Sequence, residues 1–493
     1  MTENIKNINN DPYRLKFHLM PPTGWLNDPN GLCDFNGKYH VFFQYSPDNP
    51  KGGAKYWGHY AGEDLIHLRF CGAPLSPDDP SDKNGVYSGS ALTDNGEMLL
   101  YYTGNVKQPG EHDYTYSGRE ANTILVRSSD GEHFSPKQKL MSNKDYPPEY
   151  TCHVRDPKVW KQDGKYYMVQ GGRLNGKNTD CGKDKGAVIV FAGDTPSDWK
   201  VIGNITTKEP FGFMWECPDY FEVDGIKIFS CSPQGLPAEE YRWQNIYQSG
   251  YFILPTDFDI TAPKGNYRII DDPENRFREW DMGFDFYAPQ TFADSKGRRI
   301  LIGWAGIPDA DYDNRHTIDH NWQHALTVPR TINIKDGTIV QWPVPELEAL
   351  RGGMRVTTEE NETVEIPQRC ADVIMENISC TGELLSLSDS SEKLFDIRLE
   401  EKEDFFVLKL KLSEAAGEGR KERRVRLGKL DSLRLLLDTS LLELYINDGE
   451  AVMTSRFYAN EETAAEPFKL TIAHKGTMIY EMKEMDTQKN IQP

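Results

Sequence analysis

Five stretches of the chain repeat one pattern of polar and apolar positions. Each has a polar entry, a short strand of mixed character, a turn at a glycine, and a second strand that is strongly apolar. In four of them Asn or Asp precedes the glycine, as a type I′ hairpin requires, because both central residues take positive φ. The pattern therefore predicts five antiparallel hairpins. They are DPNGLCDFNGKYHVFFQYS, YSGSALTDNGEMLLYYTGN, RDPKVWKQDGKYYMVQGGR, CPDYFEVDGIKIFSCSPQG and APQTFADSKGRRILIGWAG, with turn glycines Gly37, Gly96, Gly164, Gly225 and Gly297.

The spacing of the turn glycines indicates how many strands each repeat contains. Neighbouring glycines are 59 to 72 residues apart, which leaves room for further strands, about two per repeat. Four strands repeated around an axis form a propeller blade, so we predict a five-bladed β-propeller over roughly residues 15 to 345. A solenoid is the alternative for any repeat, but its units are usually shorter. No sustained 3.6-residue apolar period occurs here, which argues against an α/β barrel.

The pattern changes after the segment QWPVPELEALR, residues 341–351. Stretches such as LFDIRLEEKEDFFVLKLKL alternate charged and apolar residues, which is typical of antiparallel strands with one face in water. This second region is predicted to be a separate β-sandwich. The predicted fold class is all-β, with a five-bladed β-propeller over residues 1–350 and a C-terminal β-sandwich over residues 355–493.

Charge and cysteine content exclude several classes of protein. The 76 acidic and 56 basic residues give a formal net charge of −20, which repels nucleic acid and anionic membrane surfaces. The N-terminal segment lacks the basic and apolar pattern of a secretory signal, so we expect a cytoplasmic protein. The eight cysteines form no CxxC pair, and they therefore indicate neither a zinc site nor a disulfide framework.

Three carboxylates occupy similar positions in three of the repeats. Asp28, Asp156 and Glu216 each lie fewer than ten residues before the turn glycine, and Ser88 and Tyr287 take the corresponding places in the other two repeats. If the first strand of each hairpin is innermost in its blade, these side chains converge at one end of the central channel. A single Asp-Pro dipeptide is an ordinary turn or strand-start signal. Three converging carboxylates repel one another, which favours a functional site.

Clustered carboxylates serve two kinds of chemistry. They bind a hard cation, or they divide acid and base roles between them. Glycoside hydrolysis uses the second arrangement, since one ionised carboxylate attacks or stabilises the anomeric carbon while another donates a proton. Glu216 follows Trp215 and precedes Cys217-Pro218, and we expect these apolar surroundings and the nearby anions to raise its pKa. It is therefore the better candidate for the acid.

Aromatic and polar residues near the acids indicate a sugar pocket. Indole rings offer flat apolar faces on which sugars stack, although core packing is the alternative for each of them. The candidates are Trp25, Trp57, Trp215 and Trp304, with Asn27, Gln44 and Arg155 alongside. Basic residues in predicted loops are candidates for binding a phosphate. These are Arg276, Arg278, Arg315 and His316.

These motifs together resemble those of a known family. The sequence is similar to the β-fructofuranosidases of glycoside hydrolase family 32, which include invertase, sucrose-6-phosphate hydrolase, inulinase and levanase. The likeness covers nearly the whole chain and implies a five-bladed propeller followed by a β-sandwich. The motifs that carry it are WLNDPNG, FFQYSP, YWGHYAGEDLIHL, GVYSGSAL, RDPKVW, WECPDYF, DMGFDFYAPQTF, ALTVPR and LDTSLLELYINDGEAVMTSRFY.

The resemblance implies a role for each acid. Asp28 is the expected nucleophile at C2 of the fructosyl unit, and Glu216 the expected acid that protonates the leaving oxygen and later activates water. Asp156 is the expected transition-state stabiliser that holds fructose hydroxyls. The positions matching the fructose subsite are Asn27, Gln44, Trp57, Tyr87, Ser88, Arg155 and Trp304. The chain has Leu26, Tyr87 and Val154 where Met, Phe and Phe are common in the family, which affects fine specificity and not the reaction.

The predicted function is a retaining β-fructofuranosidase that works by double displacement. Its expected partner is a small sugar whose terminal non-reducing fructofuranoside is released, namely sucrose, sucrose 6-phosphate or a short fructo-oligosaccharide. No nucleic acid, membrane, metal or other cofactor is expected, and a homodimer is left open. The alternatives are a fructosyltransferase and a catalytically inactive fructan-binding propeller. An arabinan-cleaving propeller is disfavoured by WLNDPNG and by the sandwich.

Overall fold

The computed structural model describes residues 11–262 and 267–485. Within these residues the strands form seven sheets, five from residues 24–343 and two from residues 351–482. The first five sheets are the blades of a β-propeller, and the last two pack face to face as a β-sandwich. The predicted fold class, a five-bladed propeller followed by a sandwich, is therefore confirmed.

The first two blades follow the chain order from inner to outer strand. Neighbouring strands in them pair antiparallel. The first blade contains β1 (Gly24–Phe35), β2 (Lys38–Ser46), β3 (Tyr56–Gly62) and β4 (Arg69–Phe70). The second contains β5 (Val86–Asp94), β6 (Glu97–Lys107), β7 (Arg119–Ser128) and β8 (Gln138–Met141).

The third blade gains one strand from the sequence of the fourth. The third contains β9 (Tyr150–Gln162), β10 (Lys165–Leu174), β11 (Lys185–Thr195) and β12 (Asp198–Thr207). The fourth begins with β13 (Met214–Val223), β14 (Ile226–Gln234) and β15 (Gly250–Ile253). The chain then returns as β16 (Tyr267–Ile270), which pairs parallel with β12 of the third blade, before β17 (Arg278–Glu279) completes the fourth.

The fifth blade closes the ring onto the first. It starts with β18 (Tyr287–Ala293) and β19 (Arg299–Ala305). The next segment, β20 (Trp322–Gln323), pairs parallel with the start of β1, where Gly24 is opposite Trp322. The chain then returns to the fifth blade as β21 (Ala325–Leu326), β22 (Arg330–Lys335) and β23 (Thr338–Pro343). One blade is thus built from the two ends of the propeller sequence.

The hairpin turns follow the sequence prediction in four of five blades. Asn36 and Gly37 have φ of 52° and 76°, both positive as a type I′ turn requires. Two positive φ values also occur at the next three turns, which are Asn95-Gly96, Asp163-Gly164 and Asp224-Gly225. In the fifth blade only Gly297 of the segment 295–297 has a positive φ, so that turn is of a different type.

The inner strands surround the propeller axis. The strand β1 contacts β5, β5 contacts β9, β9 contacts β13, β13 contacts β18, and β18 contacts β1. The first strand of each predicted hairpin is therefore the innermost of its blade. Polar residues at the same level of these five strands face one channel, which is the arrangement on which the site prediction depended.

The sandwich consists of two six-stranded antiparallel sheets. One has the order β24, β35, β26, β31, β32, β33, and the other β25, β34, β27, β28, β29, β30. A leucine-rich core fills the space between them. The strands are β24 (Arg351–Val356), β25 (Glu362–Ile366), β26 (Cys370–Glu376), β27 (Gly382–Ser388), β28 (Lys393–Glu401), β29 (Phe406–Leu412), β30 (Glu422–Leu427), β31 (Ser432–Asp438), β32 (Leu441–Ile446), β33 (Ala451–Arg456), β34 (Phe468–Ile472) and β35 (Met478–Met482).

Helical segments in the described chain are short. The α-helical turns are α1 (Pro273–Arg276), α2 (Arg315–Asp319) and α3 (Glu414–Gly417), and the 3₁₀ turns are Asn143–Asp145, Gly176–Asn178, Pro345–Leu350, Asn447–Gly449 and Glu461–Thr463. None of the helices in residues 11–262 and 267–485 has the length and apolar character needed to cross a bilayer.

Charged side chains are buried where the propeller meets the sandwich. Arg330 on β22 donates to Glu443 on β32 at 2.7 Å and to Asp281 at 3.1 Å. His18 lies 2.8 Å from Asp438 and 3.0 Å from Glu443. All five side chains are fully buried. We call these residues, His18, Asp281, Arg330, Asp438 and Glu443, the interface cluster.

Candidate active site

Each inner strand loses its regular pairing at the same level of the channel. In β1, for example, the register shifts between Leu26 and Pro29. The residues left out of register are Asn27-Asp28, Ser88, Asp156-Pro157, Cys217-Pro218 and Ala288-Pro289. A β-bulge of this kind breaks the normal alternation, so consecutive side chains are redirected. This is why neighbouring residues such as Arg155 and Asp156 line one pocket.

Proline accounts for the bulges of the last three blades. It has no N–H to donate, and inside sheets it is confined to edges, strand starts and bulges. The residues that precede these prolines, Asp156, Cys217 and Ala288, have φ of 61°, 45° and 47°. Such left-handed conformations are uncommon for residues other than glycine and concentrate at functional sites. The Asp-Pro signal in the sequence thus marks a bulge and not a simple turn.

The bulges surround a pocket of about 200 Å³ at the end of the channel. Of the ten residues that the sequence assigned to the site, nine line it. They are Asn27, Asp28, Gln44, Tyr87, Ser88, Arg155, Asp156, Glu216 and Trp304. A larger cavity of about 680 Å³ lies along the outer strands of the first blade, and none of the predicted residues lines it. The small pocket is therefore the candidate active site.

Asp28 is held by a closed network of hydrogen bonds. Asn27 donates to one of its carboxylate oxygens at 3.0 Å, and the Ser88 hydroxyl donates to the other at 2.5 Å. Gln44 joins these two donors, because it donates to Ser88 at 2.7 Å and accepts from Asn27 at 3.3 Å. Trp25 donates to Asn27 at 2.8 Å. The orientation of the Asp28 carboxylate is thus fixed from both sides by residues of the first two blades.

Asp156 is almost completely buried, with 4% of its surface exposed. Its own backbone N–H donates to Thr103, and the backbone N–H of Cys217 donates to its carboxylate, both at 2.9 Å. Burial raises the pKa of Asp156 to about 7, and the negative charges of Glu216 and Asp28 act in the same direction. Arg155 and the Cys217 N–H oppose this rise without cancelling it.

Glu216 has three polar partners. Gln234 and the Tyr287 hydroxyl each donate to one carboxylate oxygen at 3.0 Å, and Arg155 approaches the other at 3.4 Å. Burial raises the pKa of Glu216, with a further contribution from Asp28, against the lowering effect of Arg155 and Tyr287. The carboxyl therefore holds its proton to higher pH than an exposed glutamate does.

The expected apolar surroundings of Glu216 are not what the structure has. Trp215 points to the opposite face of β13, where its fully buried indole donates to the backbone oxygen of Phe211 at 2.7 Å. Side chains of consecutive residues alternate before the bulge, so Trp215 packs in the blade core while Glu216 faces the channel. The pKa of Glu216 is raised as expected, first by burial and then by the expected anion Asp28, without a contribution from Trp215.

The described residues contain no group of three or more His, Cys, Asp or Glu side chains arranged to hold a metal ion. The positive charge of Arg155 acts on both Asp156 and Glu216, because it lowers the pKa of each carboxyl. The pocket therefore contains carboxyls in different states of hydrogen bonding, with Arg155 beside two of them. That arrangement suits a division into nucleophile, acid and hydroxyl-binding group.

Family profiles match both parts of the chain. The glycosyl hydrolases family 32 N-terminal domain matches residues 18–343, and the glycosyl hydrolases family 32 C-terminal domain matches residues 402–482. The chain belongs to glycosyl hydrolase family 32. It is 37% identical to a sucrose-6-phosphate hydrolase of Bacillus subtilis (strain 168), over 93% of this chain and 92% of that protein. It is 33% identical to a raffinose invertase of Escherichia coli, over 91% and 90% of the two chains.

Solved structures of family 32 proteins have the same fold. A sucrose-6-phosphate hydrolase from Lactobacillus gasseri superposes with a TM-score of 0.84 at 27% identity, covering 98% of this chain and 96% of that one. A mutant family 32 β-fructofuranosidase from Bombyx mori, in complex with sucrose, gives a TM-score of 0.80 at 26% identity, with 98% and 97% covered.

One predicted residue of this family 32 chain lies outside the pocket. Trp57 is fully buried between the first two blades, and its indole donates to the backbone oxygen of Tyr87 at 3.1 Å. It therefore supports the pocket wall from behind. Two of the four tryptophans named from the sequence, Trp25 and Trp304, do line the pocket, and their rings lie 6.1 Å apart.

The basic residues suggested for a phosphate are not at the pocket of this family 32 chain. Arg276 donates to the backbone of Ile253, and Arg278 donates to Asn275. Arg315 is exposed beside Asp313, and His316 pairs with Glu418 at 3.1 Å. None of the four lines the pocket. Their selection rested only on charge and predicted loops, which do not determine where a loop points.

Of the remaining site residues, Tyr287 was named from the sequence as the fifth-repeat counterpart of the acids, whereas Lys55 and Cys217 were not assigned. Tyr287, Lys55 and Pro308 line the pocket. The buried Cys217 thiol lies 3.8 Å from an oxygen of Asp28 and 3.7 Å from one of Asp156. Cys217 occupies the bulge position that holds Asp156 in the third blade. Aligning the repeats on their prolines would have identified it, whereas no repeat signal marks Lys55.

Proposed function

We propose that this family 32 chain is a β-fructofuranosidase that hydrolyses sucrose or sucrose 6-phosphate with retention of configuration. The observation that carries the proposal is the convergence of Asp28, Asp156 and Glu216 from three different blades in one small pocket. The names of its relatives, sucrose-6-phosphate hydrolase and raffinose invertase, support the substrate class.

In the first step, a carboxylate oxygen of Asp28 bonds to C2 of the fructosyl unit as the bond from C2 to the leaving oxygen breaks. Glu216 gives its proton to that oxygen, so the leaving sugar departs as a neutral alcohol. The hydrogen bonds from Asn27 and Ser88 support this role, because they fix the attacking carboxylate. The raised pKa of Glu216, caused first by burial, supports its role as proton donor.

In the second step, Glu216 is ionised and takes a proton from water. The water oxygen bonds to C2, the ester bond to Asp28 breaks, and fructose leaves with its original configuration. The distance of 3.4 Å between Arg155 and Glu216 supports this exchange, because a nearby cation stabilises the ionised form between the two steps.

Asp156 is proposed to bind fructose hydroxyls and not to transfer the leaving-group proton. Its carboxylate accepts from the Cys217 backbone and faces the same pocket as Gln44 and Asn27. Buried polar groups of this kind select hydroxyls, because an analogue without them leaves the groups unpaired. Trp25 and Trp304 supply the apolar faces beside them.

The same proposal includes the limits of the two domains and the location of the enzyme. We propose a propeller over residues 1–350 and a sandwich over residues 355–493, of which residues 1–10, 263–266 and 486–493 lie outside the described residues. The last propeller strand ends at Pro343 and the first sandwich strand begins at Arg351. A phosphorylated disaccharide is an anion that does not cross membranes unaided, so a cytoplasmic location fits that substrate.

The deciding experiment compares kcat/KM for sucrose, sucrose 6-phosphate, kestose and inulin side by side. Cleavage of the two disaccharides, with fructose first released in the β configuration by NMR, is the expected result. First release of the α anomer would mean inversion and would remove the covalent role of Asp28. Efficient transfer to a sugar acceptor in place of water would favour a fructosyltransferase, and binding without cleavage an inactive propeller.

A further inference from the structure

Lys55 is a pocket residue that the proposed mechanism does not use. It ends the connection between β2 and β3, and its half-buried side chain lines the pocket. The ammonium lies 4.9 Å from the centroid of the Trp25 ring, and a Cβ added at Gly85 would lie within 3.4 Å of both the Lys55 Cβ and the Tyr87 ring. The side chain therefore extends from Tyr87 toward Trp25 across the first-blade side of the opening.

The Lys55 ammonium has no counter-ion in the described part of the chain. Among the residues that the structure describes it makes no hydrogen bond and no ion pair within 4 Å. Two other lysines with little exposure are paired: Lys137 with Asp82 at 2.6 Å and Lys158 with Asp219 at 3.0 Å. A charged group held away from water without a partner is unfavourable, so such a group marks a place that a ligand of opposite charge can fill.

The electrostatics of the pocket agree with this. Burial lowers the pKa of Lys55 to about 8, and the charge of Asp28 is what opposes the fall. The other pocket cation, Arg155, already lies beside Glu216 at 3.4 Å. The chain as a whole has a net charge of −20 and repels anions. An anionic substrate therefore needs a local cation, and Lys55 is the one not already neutralised at this pocket.

The position of Lys55 points to the leaving sugar. In the proposed reaction the fructosyl unit lies between Asp28 and Glu216, and the group attached to the leaving oxygen extends toward the opening. There Trp25, Tyr87 and Lys55 line the same pocket, and the ammonium lies over the Trp25 ring. A phosphate on a leaving sugar bound beside these residues would be within reach of the ammonium.

We propose that Lys55 binds the phosphate on the glucosyl unit of sucrose 6-phosphate and makes this enzyme selective for the phosphorylated disaccharide over sucrose. The inference rests on the proposed function. It predicts that the wild-type kcat/KM is higher for sucrose 6-phosphate than for sucrose, and that this preference depends on the positive charge at residue 55.

The test measures kcat and KM for both substrates in the wild type and in Lys55→Met, Lys55→Arg and Lys51→Met. Methionine keeps most of the length of lysine and removes the charge. Lys51 is the matched control, since it is exposed in the same connection and does not line the pocket. Inhibition by glucose 6-phosphate and by glucose is measured in parallel, because it reports leaving-group binding without catalysis.

For Lys55→Met we expect the ratio of kcat/KM for sucrose 6-phosphate to that for sucrose to fall roughly 10- to 100-fold, the size of one charged hydrogen bond. The fall should come mainly from KM and should be matched by weaker inhibition by glucose 6-phosphate. Lys55→Arg should restore most of the ratio, and Lys51→Met should leave it unchanged.

Three results would overturn the inference. One is an equal loss on both substrates, which would mean that Lys55 acts on the fructosyl unit or on Asp28. The second is an unchanged ratio in Lys55→Met. The third is a wild type that cleaves both substrates without preference, which leaves the proposed function intact. A wild type that cleaves neither disaccharide contradicts the proposed function itself.

Discussion

Two groups of carboxylates are buried in this molecule, and their environments differ. In the pocket, Asp28, Asp156 and Glu216 lie with two cations, and only Arg155 approaches a carboxylate within 4 Å. In the interface cluster, Asp281, Asp438 and Glu443 are paired with Arg330 and His18. Residues of the same chemical type thus form a reactive site in one place and a connection between domains in the other.

The pKa values of Asp156 and Glu443 record this difference, whereas burial raises the pKa of Asp281 even though Arg330 lies beside it. Burial raises the pKa of Asp156 to about 7, because its effect outweighs the opposing charge of Arg155 and the anions Glu216 and Asp28 add to it. Burial acts in the same direction on Glu443, but Arg330 and His18 outweigh it and hold the pKa at about 2. The number of cations within reach, and not burial alone, decides whether a buried carboxyl keeps its proton. A buried carboxyl that keeps its proton suits acid catalysis, whereas a buried carboxylate that is paired directly with cations suits stability.

The largest expected effect is on the reaction. Replacing Asp28 by Asn removes the nucleophile and keeps the shape of the side chain. We expect kcat to fall on the order of 10⁴-fold or more for every fructoside, whatever its leaving group. The Tm should change by only a few degrees, because the pocket does not hold the domains together. Steady-state rates and thermal unfolding measure both. A variant that kept about one-tenth of the wild-type kcat would remove Asp28 from the covalent role.

The counterpart at the interface is Arg330→Met. It leaves Glu443 and Asp281 buried without their cation, and we expect a loss of about 3–5 kcal/mol in the free energy of unfolding. The kcat of the molecules that remain folded should stay close to that of the wild type. Arg315→Met is the control, because Arg315 is exposed and 3.6 Å from Asp313; its effect should stay within about 0.5 kcal/mol. Equal losses in the two variants would contradict the comparison.

A smaller effect distinguishes the acid from the nucleophile. Glu216→Gln removes the proton donor, and the expected loss of kcat on sucrose is roughly 10²- to 10⁴-fold. The loss should shrink for an activated fructoside whose leaving group needs no proton. The loss of activity above the pKa of the acid should also disappear from the pH profile. If sucrose and the activated fructoside slowed equally, the acid role would pass to another residue, with Asp156 the first to test.

The smallest expected effect concerns stability and pH. The folded-state pKa of Asp156 is about 7, above the ordinary value near 3.9, so the folded protein binds more protons between these values. The contribution of Asp156 to stability is therefore lost as pH rises from about 4 to about 7. Asp156→Asn cannot ionise, and we expect its Tm to exceed that of the wild type by a few degrees at pH 8 and to match it near pH 4.

The opposite dependence is expected for Glu443→Gln. The folded-state pKa of Glu443, about 2, lies below its ordinary value, so its contribution is present at neutral pH and is lost as pH falls toward 2. The variant should be less stable than the wild type at pH 7, with the difference shrinking in acid. Thermal unfolding across pH measures both variants. Parallel curves for the two substitutions would show that their environments do not differ as described.

The sequence was sufficient to predict the fold and most of the pocket. Turn pairs such as Asn36-Gly37 have a conformational requirement that few residues satisfy, so they locate the hairpins. The repeat then places Asp28, Asp156 and Glu216 at the same level of three of the five inner strands, around one pocket. Nine of the ten assigned residues line the pocket because the first strand of every hairpin is innermost.

What could not be predicted is the direction of individual side chains. Trp57 and Trp215 are near site residues in sequence but point into the cores between and within blades. The alternation of side chains along a strand turns Trp215 away from the channel. The bulge then changes the direction of the side chains that follow it. Lys55 belongs to a connection with no repeat partner, and a loop's path depends on packing that no local pattern encodes. The phosphate candidates failed for the same reason.

The pairing of β20 with β1 has a consequence for how the enzyme is made. Gly24 and Trp322 are about 300 residues apart, yet they are neighbours in one blade. The N-terminal segment depends on even later residues, since the Tyr13 hydroxyl donates to the backbone oxygen of Ala459. During synthesis the first blade therefore stays incomplete until residues 322–323 have left the ribosome, and the contact of Tyr13 cannot form until Ala459 has followed. Contacts of such long sequence separation fold slowly and expose strand edges meanwhile. Nascent chains that stop early should carry no activity and should depend on chaperones.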